Sequence, residues 1–222
     1  MKIAMFGHKR IPSREGGVEI VVEELASRMV KTGNEVTCFN RNGKGCVSQK
    51  YGKRYNFNGI EVKTVPTIDK KGMAAVTAAF FSSVMAAFGK YDIVHIHAEG
   101  PAFFSWIPKL FHKKIVVTVH GLDWQREKWK GGFGAKFIRK GEENAVKYAD
   151  EIIVLSKNVE QYFKTRYNRI TRFIPNGVNR PTIRKADRIR SVYGLEKNGY
   201  ILFLGRLVPV SYTHLRAHET CA

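Results

Sequence analysis

Two histidines, His97 and His120, each end a short run of apolar residues. The runs are DIVHIH, from Asp92, and KIVVTVH, from Lys114. Such β-branched runs predict buried parallel strands, whose carboxyl ends share the sheet edge where ligands bind. Because an imidazole at that edge can hydrogen-bond a bound ligand, we predict that His120 is catalytic and that His97 binds ligand. The alternative for His120 is a histidine that only ends its strand through a hydrogen bond, and we expect His95 to be structural.

A second candidate site is the glycine pair Gly16-Gly17. It follows an apolar run from Ile3 to Phe6, a break at Gly7 and a basic loop, and it precedes apolar residues at helical spacing. Free N–H groups at a helix N-terminus favour an anion, and glycines let it approach the backbone. The spacing fits neither GxGxxG nor GxxxxGK[ST], so the sequence predicts a phosphate or sugar site without those two fingerprints. A plain βα turn is the alternative.

Strand-like and helix-like segments alternate along most of the chain. The pattern predicts an α/β fold with a doubly wound, Rossmann-like parallel sheet. An Asn58-Gly59 turn between two strand-like runs predicts a hairpin, 53–57 with 60–65. The apolar run from Gly72 to Gly89 predicts a buried helix, and the aromatic run 101–111 predicts a short helix or loop broken by Pro108.

Domain boundaries follow from composition. Residues 1–179 are predicted to form one domain, the polar and basic stretch 180–199 a linker, and 200–209 the first strand of a second domain. Residues 210–222 continue no periodic pattern and are interpreted as a non-native tail. The second domain is therefore predicted to be truncated after about Pro209.

The balance of charged residues points to an anionic partner. Lys and Arg number 38 against 19 Asp and Glu, giving a net charge of +19. Nucleic acid, acidic lipid and a phosphorylated substrate all fit that charge. Three cysteines without CxxC spacing argue against a disulfide framework and a zinc site. With no charged and apolar leader after Met1, a cytoplasmic location is expected.

Several stretches together resemble the N-terminal half of a family 4 glycosyltransferase of GT-B architecture. They are GGVEIVVEEL at 16–25, DIVHIH at 92–97, HAEGP at 97–101, VTVHGLDWQREKW at 117–129, ADEIIVLS at 149–156, IPNGVN at 174–179 and YILFLGRLVP at 200–209. The first stretch, together with the residues RIPSREGG at 10–17 that lead into it, looks most like the branch related to bacterial rhamnosyl and other polysaccharide-building transferases. The resemblance covers the chain from Met1 to Pro209.

The resemblance implies roles for individual residues. Gly16 and Gly17 match the glycine loop that faces donor phosphates and acceptor, and His120 matches the histidine near the reacting sugar. Arg206, in GRL, matches the arginine that binds the donor diphosphate. The lysine that follows in the family is absent from this chain, and so is the Glu-x7-Glu pair of its second domain; Glu15 and Glu23 have that spacing but lie in the wrong domain. The fragment by itself is therefore expected to be inactive.

The implied reaction is transfer of a sugar from a nucleotide sugar, with retention, to a saccharide or polyprenyl-linked acceptor in surface polysaccharide synthesis. No metal or other cofactor is expected, because the chain has no DxD motif. Peripheral contact with the acidic inner face of the cell membrane, through Phe103, Phe104 and Trp106, would account for the positive net charge. The alternative is a non-catalytic anion-binding module for nucleic acid or acidic lipid. Nucleic acid is not the expected partner, because no nucleic-acid-reading motif is present.

Overall fold

An eight-stranded sheet runs through residues 1–176 of the computed structural model, which describes residues 1–43, 52–70, 72–125, 132–183, 185 and 187–202. The strands are β1 Lys2–Phe6, β2 Glu35–Arg41, β3 Arg54–Phe57, β4 Ile60–Val65, β5 Ile93–His97, β6 Lys114–Val119, β7 Glu151–Val154 and β8 Arg172–Phe173. The helices are α1 Gly17–Lys31, α2 Met73–Phe88, α3 Glu99–Ala102, α4 Trp106–Leu110, α5 Phe133–Tyr148, α6 Lys157–Tyr167 and α7 Asp187–Tyr193. A 3₁₀ turn covers Asp123–Gln125.

The strand order is β3-β4-β2-β1-β5-β6-β7-β8. All neighbouring pairs are parallel except β3 with β4, which form the predicted hairpin across Asn58-Gly59, both at positive φ. The prediction of a doubly wound parallel sheet is confirmed. The order reverses between β1 and β5, so the topological switch point, where ligands bind in such sheets, lies between these two strands.

Alternation along the strands sends side chains into two cores. On one face, Ala4 and Phe6 of β1 and Val94 and Ile96 of β5 pack with residues of α2, α3, α5 and α6. On the other face, Ile3 and Met5 pack with Val22 and Ala26 of α1 and with residues of β2 and β4. His95 and His97, being out of phase with Val94 and Ile96, therefore point to the same face as α1.

Helix α2 confirms the predicted helix, but only one of its faces is buried. Small residues, among them Ala78, Ser82 and Ala86, face the interior. Phe80 and Phe88 remain 41% and 72% exposed. The sequence prediction of a buried helix was therefore wrong for the outer face, because the small residues let the helix lie close to its neighbours while the large ones project outward. No helix in the described part of the chain is both long and apolar enough to cross a membrane.

Pro108 does not break the aromatic segment, contrary to the sequence prediction. It is the third residue of α4, Trp106–Leu110. The first N–H groups of a helix have no partner inside the helix, so a residue without an N–H is tolerated there.

The first compact unit ends at Asn176, and a second begins at Gly177. The described part of the second unit contains α7, none of whose residues is buried. The strand predicted from Tyr200 lies largely outside the described residues, and Ile201 and Leu202 are exposed. The domain boundaries given above stay predictions.

Candidate functional site

The candidate site lies at the switch point, where Gly7 follows β1. Gly7 has a φ of +116°, and a Cβ there would lie 2.0 Å from the carbonyl oxygen of His97. Only glycine fits this backbone conformation and this close approach. The end of β1 is thereby held directly against the end of β5, which brings His8 into the neighbourhood of His97.

A row of histidines follows the seam between β5 and β6 on the α1 face of the sheet. Nε2 of His95 is 2.8 Å from Oγ1 of Thr118, and Nδ1 of His97 is 3.2 Å from Nε2 of His120. The ring centroids of His95 and His97 are 4.2 Å apart. The structure therefore places the two predicted site histidines in direct contact, with His95 buried behind them.

Burial makes most of this row neutral. Burial lowers the pKa of His95 to about 4 and that of His97 well below its usual value, and the neighbouring histidines add to both effects. His97 is fully buried, whereas His120, just past the end of β6, is partly exposed. His120 is therefore the member of the pair that can meet a ligand, with a neutral imidazole behind it.

Asn40 holds the loop that follows β1. Its side-chain oxygen accepts from the backbone N–H of Ile11 and lies 3.0 Å from Nε2 of His8, while its amide nitrogen donates to Ile11 and Tyr55. Because that oxygen can only accept, Nε2 of His8 carries the proton. Burial lowers the pKa of His8 to about 4, so this ring is also neutral.

At the N-terminus of α1, Gly16 and Gly17 differ in their surroundings. A Cβ on Gly16 would lie 2.0 Å from Oε2 of Glu19, whereas a Cβ on Gly17 would meet no heavy atom within 4 Å. Glu19 reaches back toward the first turn, and its Oε1 accepts from the N–H of Lys9 at 3.0 Å. A carboxylate at this helix end is stabilised by the helix dipole. Open space for a ligand therefore lies at Gly17 rather than at Gly16.

Two buried glutamates hold the turn after His120 in place by accepting hydrogen bonds from it. Oε2 of Glu99 accepts from the N–H of Asp123 at 2.8 Å, and Oε2 of Glu142 accepts from Nε1 of Trp124 at 3.0 Å. The hydroxyl groups of Tyr162 and Tyr167, on α6, donate to the other oxygen of Glu142. Residues from α3, α5 and α6 thus converge on the segment that carries His120.

Sequence reasoning missed His8, Glu99 and Glu142. His8 directly follows Gly7 at the end of β1, so its position indicates a site residue as clearly as the position of His120 does. The basic residues around it favoured its interpretation as part of a loop. Glu99 belongs to the HAEGP stretch, and only contacts between distant segments reveal its link to Glu142 on α5. Arg206 lies outside the described residues, and its role stays a prediction. Within the described ranges, no group of three or more His, Cys, Asp or Glu side chains is arranged to hold a metal ion.

Sheet order and site together define the class of the protein: it has the Rossmann-like half of the GT-B architecture. The family model described as Glycosyltransferase Family 4 matches residues 15–180, and the chain belongs to that family. No curated protein sequence is similar enough to count as a match.

Solved structures share the fold at low sequence identity. Sucrose-phosphate synthase from Thermosynechococcus elongatus is 18% identical, with a TM-score of 0.66, covering 88% of this chain and 53% of that one. Arabidopsis thaliana UGT89C1, solved with UDP-L-rhamnose, is 12% identical, with a TM-score of 0.53, covering 89% of this chain and 57% of that one. This chain therefore spans about half the length of these neighbours.

Proposed function

We propose that this chain is the acceptor-side half of a glycosyltransferase that moves a sugar from a nucleoside diphosphate sugar to a saccharide acceptor, with retention at the anomeric carbon. The observation that carries the proposal is the family match over residues 15–180, which spans the His97–His120 pair at the switch point. A pre-organised hydrogen-bonding group at that edge can stabilise charge that develops as the sugar leaves its diphosphate.

Two further positions would serve the departing diphosphate. Gly17 offers open space at the positive end of α1, where backbone N–H groups can approach an anion. Arg206 would add a guanidinium, whose fork geometry suits phosphate oxygens. With those groups in place the proposed reaction requires no metal ion.

The proposed acceptor is a polyprenyl-linked saccharide of a surface polysaccharide, as in the rhamnosyl-related branch that the sequence resembles. A lipid-linked acceptor requires contact with a membrane, and the structure provides an apolar surface for it. Phe80 and Phe88 of α2 and Trp106 and Leu110 of α4 are all more than a third exposed. We therefore place the enzyme peripherally on the inner face of the cell membrane.

Of the aromatic residues singled out from the sequence, Trp106 belongs to the exposed surface, whereas Phe103 and Phe104 form the layer beneath it. Phe103 stacks on Phe137 at 4.5 Å between ring centroids, and Phe104 packs edge-on to Phe80 at 5.6 Å. Both are only partly exposed, whereas Trp106 is 37% exposed. The outermost side chains, Phe88 and Leu110, are the ones that would enter the lipid.

The test is turnover by the full-length gene product. Purified enzyme is given nucleoside diphosphate sugars and a lipid-linked acceptor, and released nucleoside diphosphate and the anomeric configuration of the product are measured. Replacing His120 with alanine should lower kcat by about 10²- to 10⁴-fold, the usual contribution of a positioned acid, base or hydrogen-bonding group. Thermal unfolding should remain cooperative with only a modest loss of stability, because His120 is partly exposed but its ring contacts the buried Nδ1 of His97.

The matched control is His112→Asn. His112 is exposed and has a φ of +57°, a conformation that asparagine tolerates, so this variant should keep its activity. If His120→Ala unfolds like the parent and keeps more than about a tenth of the activity, the catalytic role is wrong. An inverted product or the absence of any sugar transfer would contradict the reaction class.

A further inference from the structure

The contact between His97 and His120 restricts where each ring carries its proton. When both imidazoles are neutral, two ring nitrogens 3.2 Å apart share one hydrogen, so one nitrogen donates and the other accepts. Burial keeps His97 neutral. Its tautomer therefore decides whether Nε2 of His120 accepts a hydrogen bond or donates one.

The other nitrogen of His97 indicates which tautomer is present. His97 is fully buried, and its Nε2 has no hydrogen-bond partner among the described residues. Among buried backbone groups, N–H donors without a partner are rarer than incompletely satisfied carbonyl acceptors, and we apply the same preference to this buried ring. Nε2 of His97 is therefore the unprotonated nitrogen, and the hydrogen sits on Nδ1, from which it is donated to His120.

We infer that His97 is a positioning residue that holds neutral His120 as its Nδ1–H tautomer, the form in which Nδ1 of His120 is a hydrogen-bond donor. Nε2 of His120 accepts from His97, so in neutral His120 the hydrogen occupies Nδ1. This tautomer is the minor one for free histidine in water. A donor suits an electron-rich oxygen, either of a sugar hydroxyl or of the departing diphosphate, so the inference deepens the proposed function and rests on it for its chemistry.

The surroundings fix the ring of His97. Its backbone carbonyl lies against Gly7, where any side chain would clash. The ring of His95 lies alongside at 4.2 Å between centroids, with 31° between the planes, and is held in turn by Thr118. The titratable groups that bear on His97 are His8, His95 and His120. His95 belongs to β5, His120 directly follows β6, and His8 is the second residue after β1, so the surroundings of the pair are set by the strands and their carboxyl ends.

The decisive measurement is a long-range ¹H–¹⁵N correlation spectrum of the labelled chain, in which the two tautomers of a histidine differ. The His120 signals are identified by their loss in His120→Ala. In the wild type at neutral pH, Nδ1 of His120 should carry the hydrogen. A wild-type His120 protonated on Nε2 would overturn the inference, whatever the variants do.

Two substitutions of His97 compare a side chain that can donate a hydrogen bond to His120 with one that cannot. Asparagine places an amide N–H near the position of Nδ1 and should keep the Nδ1–H tautomer of His120. Phenylalanine preserves a ring but donates nothing, and the His120 signals should move toward the Nε2–H form. Unchanged His120 signals in a folded His97→Phe variant would contradict the inference, and so would loss of the tautomer in a folded His97→Asn.

Activity of the full-length enzyme supplies an independent readout. His97→Phe should lower kcat by about 10- to 100-fold, less than the loss of His120, whereas His97→Asn should recover most of it. In the double variant with His120→Ala, His97→Phe should cause no further loss, because it acts through His120. An additive loss would overturn the role. The spectrum needs no substrate, so a correct tautomer without sugar transfer would contradict only the proposed reaction.

Discussion

At the scale of single residues, the buried pair of Glu99 and Glu142 is a proton-linked contact. Both side chains are fully buried, and the carboxyl group of Glu142 lies beside that of Glu99. As a carboxylate, Glu99 would leave Oε1 without a donor in the described part of the chain. Burial and the neighbouring Glu142 therefore raise the pKa of Glu99 well above its usual range, and the native state holds a proton there.

This linkage predicts a stability that falls with pH. Above the ordinary pKa of a glutamate, the unfolded state releases the proton and the native state keeps it, so the free energy of unfolding decreases as the pH rises until Glu99 ionises in the native state. In Glu99→Gln the amide can donate to Glu142 and its oxygen can accept from Asp123 without a titrating proton. We expect wild type and variant to be similar near pH 4, and the variant to be more stable by about 1 kcal/mol or more at pH 8.

Urea unfolding of both chains from pH 4 to pH 9 measures the effect. The control is Glu143→Gln on the same helix, where the glutamate side chain is 44% exposed and pairs with Lys140 at 2.8 Å. Its free energy of unfolding should change with pH in the same way as that of the wild type, because an ion pair at the surface contributes little. Parallel curves for Glu99→Gln as well would show that no proton is held at Glu99.

At the scale of elements, a glycine sets the distance between α5 and α3. A Cβ on Gly141 would lie 2.0 Å from the carbonyl oxygen of Glu99 and 3.1 Å from the backbone nitrogen of Phe103. Backbone atoms cannot move aside as the end of a side chain can. The same contact brings Glu142, the next residue of α5, to Glu99, so the turn after His120 depends on it.

We predict that Gly141→Ala destabilises the chain by about 1–3 kcal/mol, the usual cost of overpacking. Alanine is the better helix former by about 1 kcal/mol, so a loss of stability can come only from the displaced helix. The control is Gly17→Ala at the first turn of α1, where a Cβ meets nothing within 4 Å. That change should stay within about 0.5 kcal/mol. Equal stabilities in urea for both variants would show that α5 does not need the glycine.

At the scale of the whole molecule, the chain combines a net charge of +19 with an apolar surface on α2 and α4. The rings of Phe88 and Phe111 are 4.6 Å apart, which joins the two helices into one continuous patch. Lys113 donates to the carbonyl groups of Gly89 and Tyr91 at the end of this patch, so a cationic group lies beside it. Apolar side chains next to cations are typical of a surface that binds acidic lipid.

We expect the chain to sediment with vesicles that contain phosphatidylglycerol more strongly than with pure phosphatidylcholine vesicles, and less strongly as salt rises. Replacing Phe88 and Leu110 together with serine should weaken binding about tenfold or more, because each inserted side chain contributes up to about 1.5–3 kcal/mol.

Ile170→Ser is the matched control for this binding. Ile170 is 85% exposed but lies between α6 and β8, away from the patch in the chain, and its loss should leave binding unchanged. Equal binding to neutral and anionic vesicles at low salt would contradict the electrostatic contribution. Undiminished binding by the double variant would show that the patch does not enter the lipid.

The sequence by itself determined the layout of the sheet. Alternating apolar runs and helical periodicity predicted β1, α1, β5 and β6 close to their observed bounds, because such patterns are local and each strand is buried on both faces. The same reasoning placed His97 and His120 at the ligand edge, since parallel strands share their carboxyl ends. This reasoning did not predict the exposed outer face of α2 or the place of Pro108 inside α4, because both depend on how an element packs against its neighbours.

Only the tertiary structure decided which residues act together. His97 and His120 are 23 positions apart in the chain, yet their ring nitrogens are in contact because β5 and β6 are in register, with His97 opposite Thr118. Glu99 and Glu142 meet because Gly141 lets two helices approach. Periodicity reports which face of an element is buried, but register and close approach between elements depend on packing across the whole unit, and they determine the protonation of these buried groups.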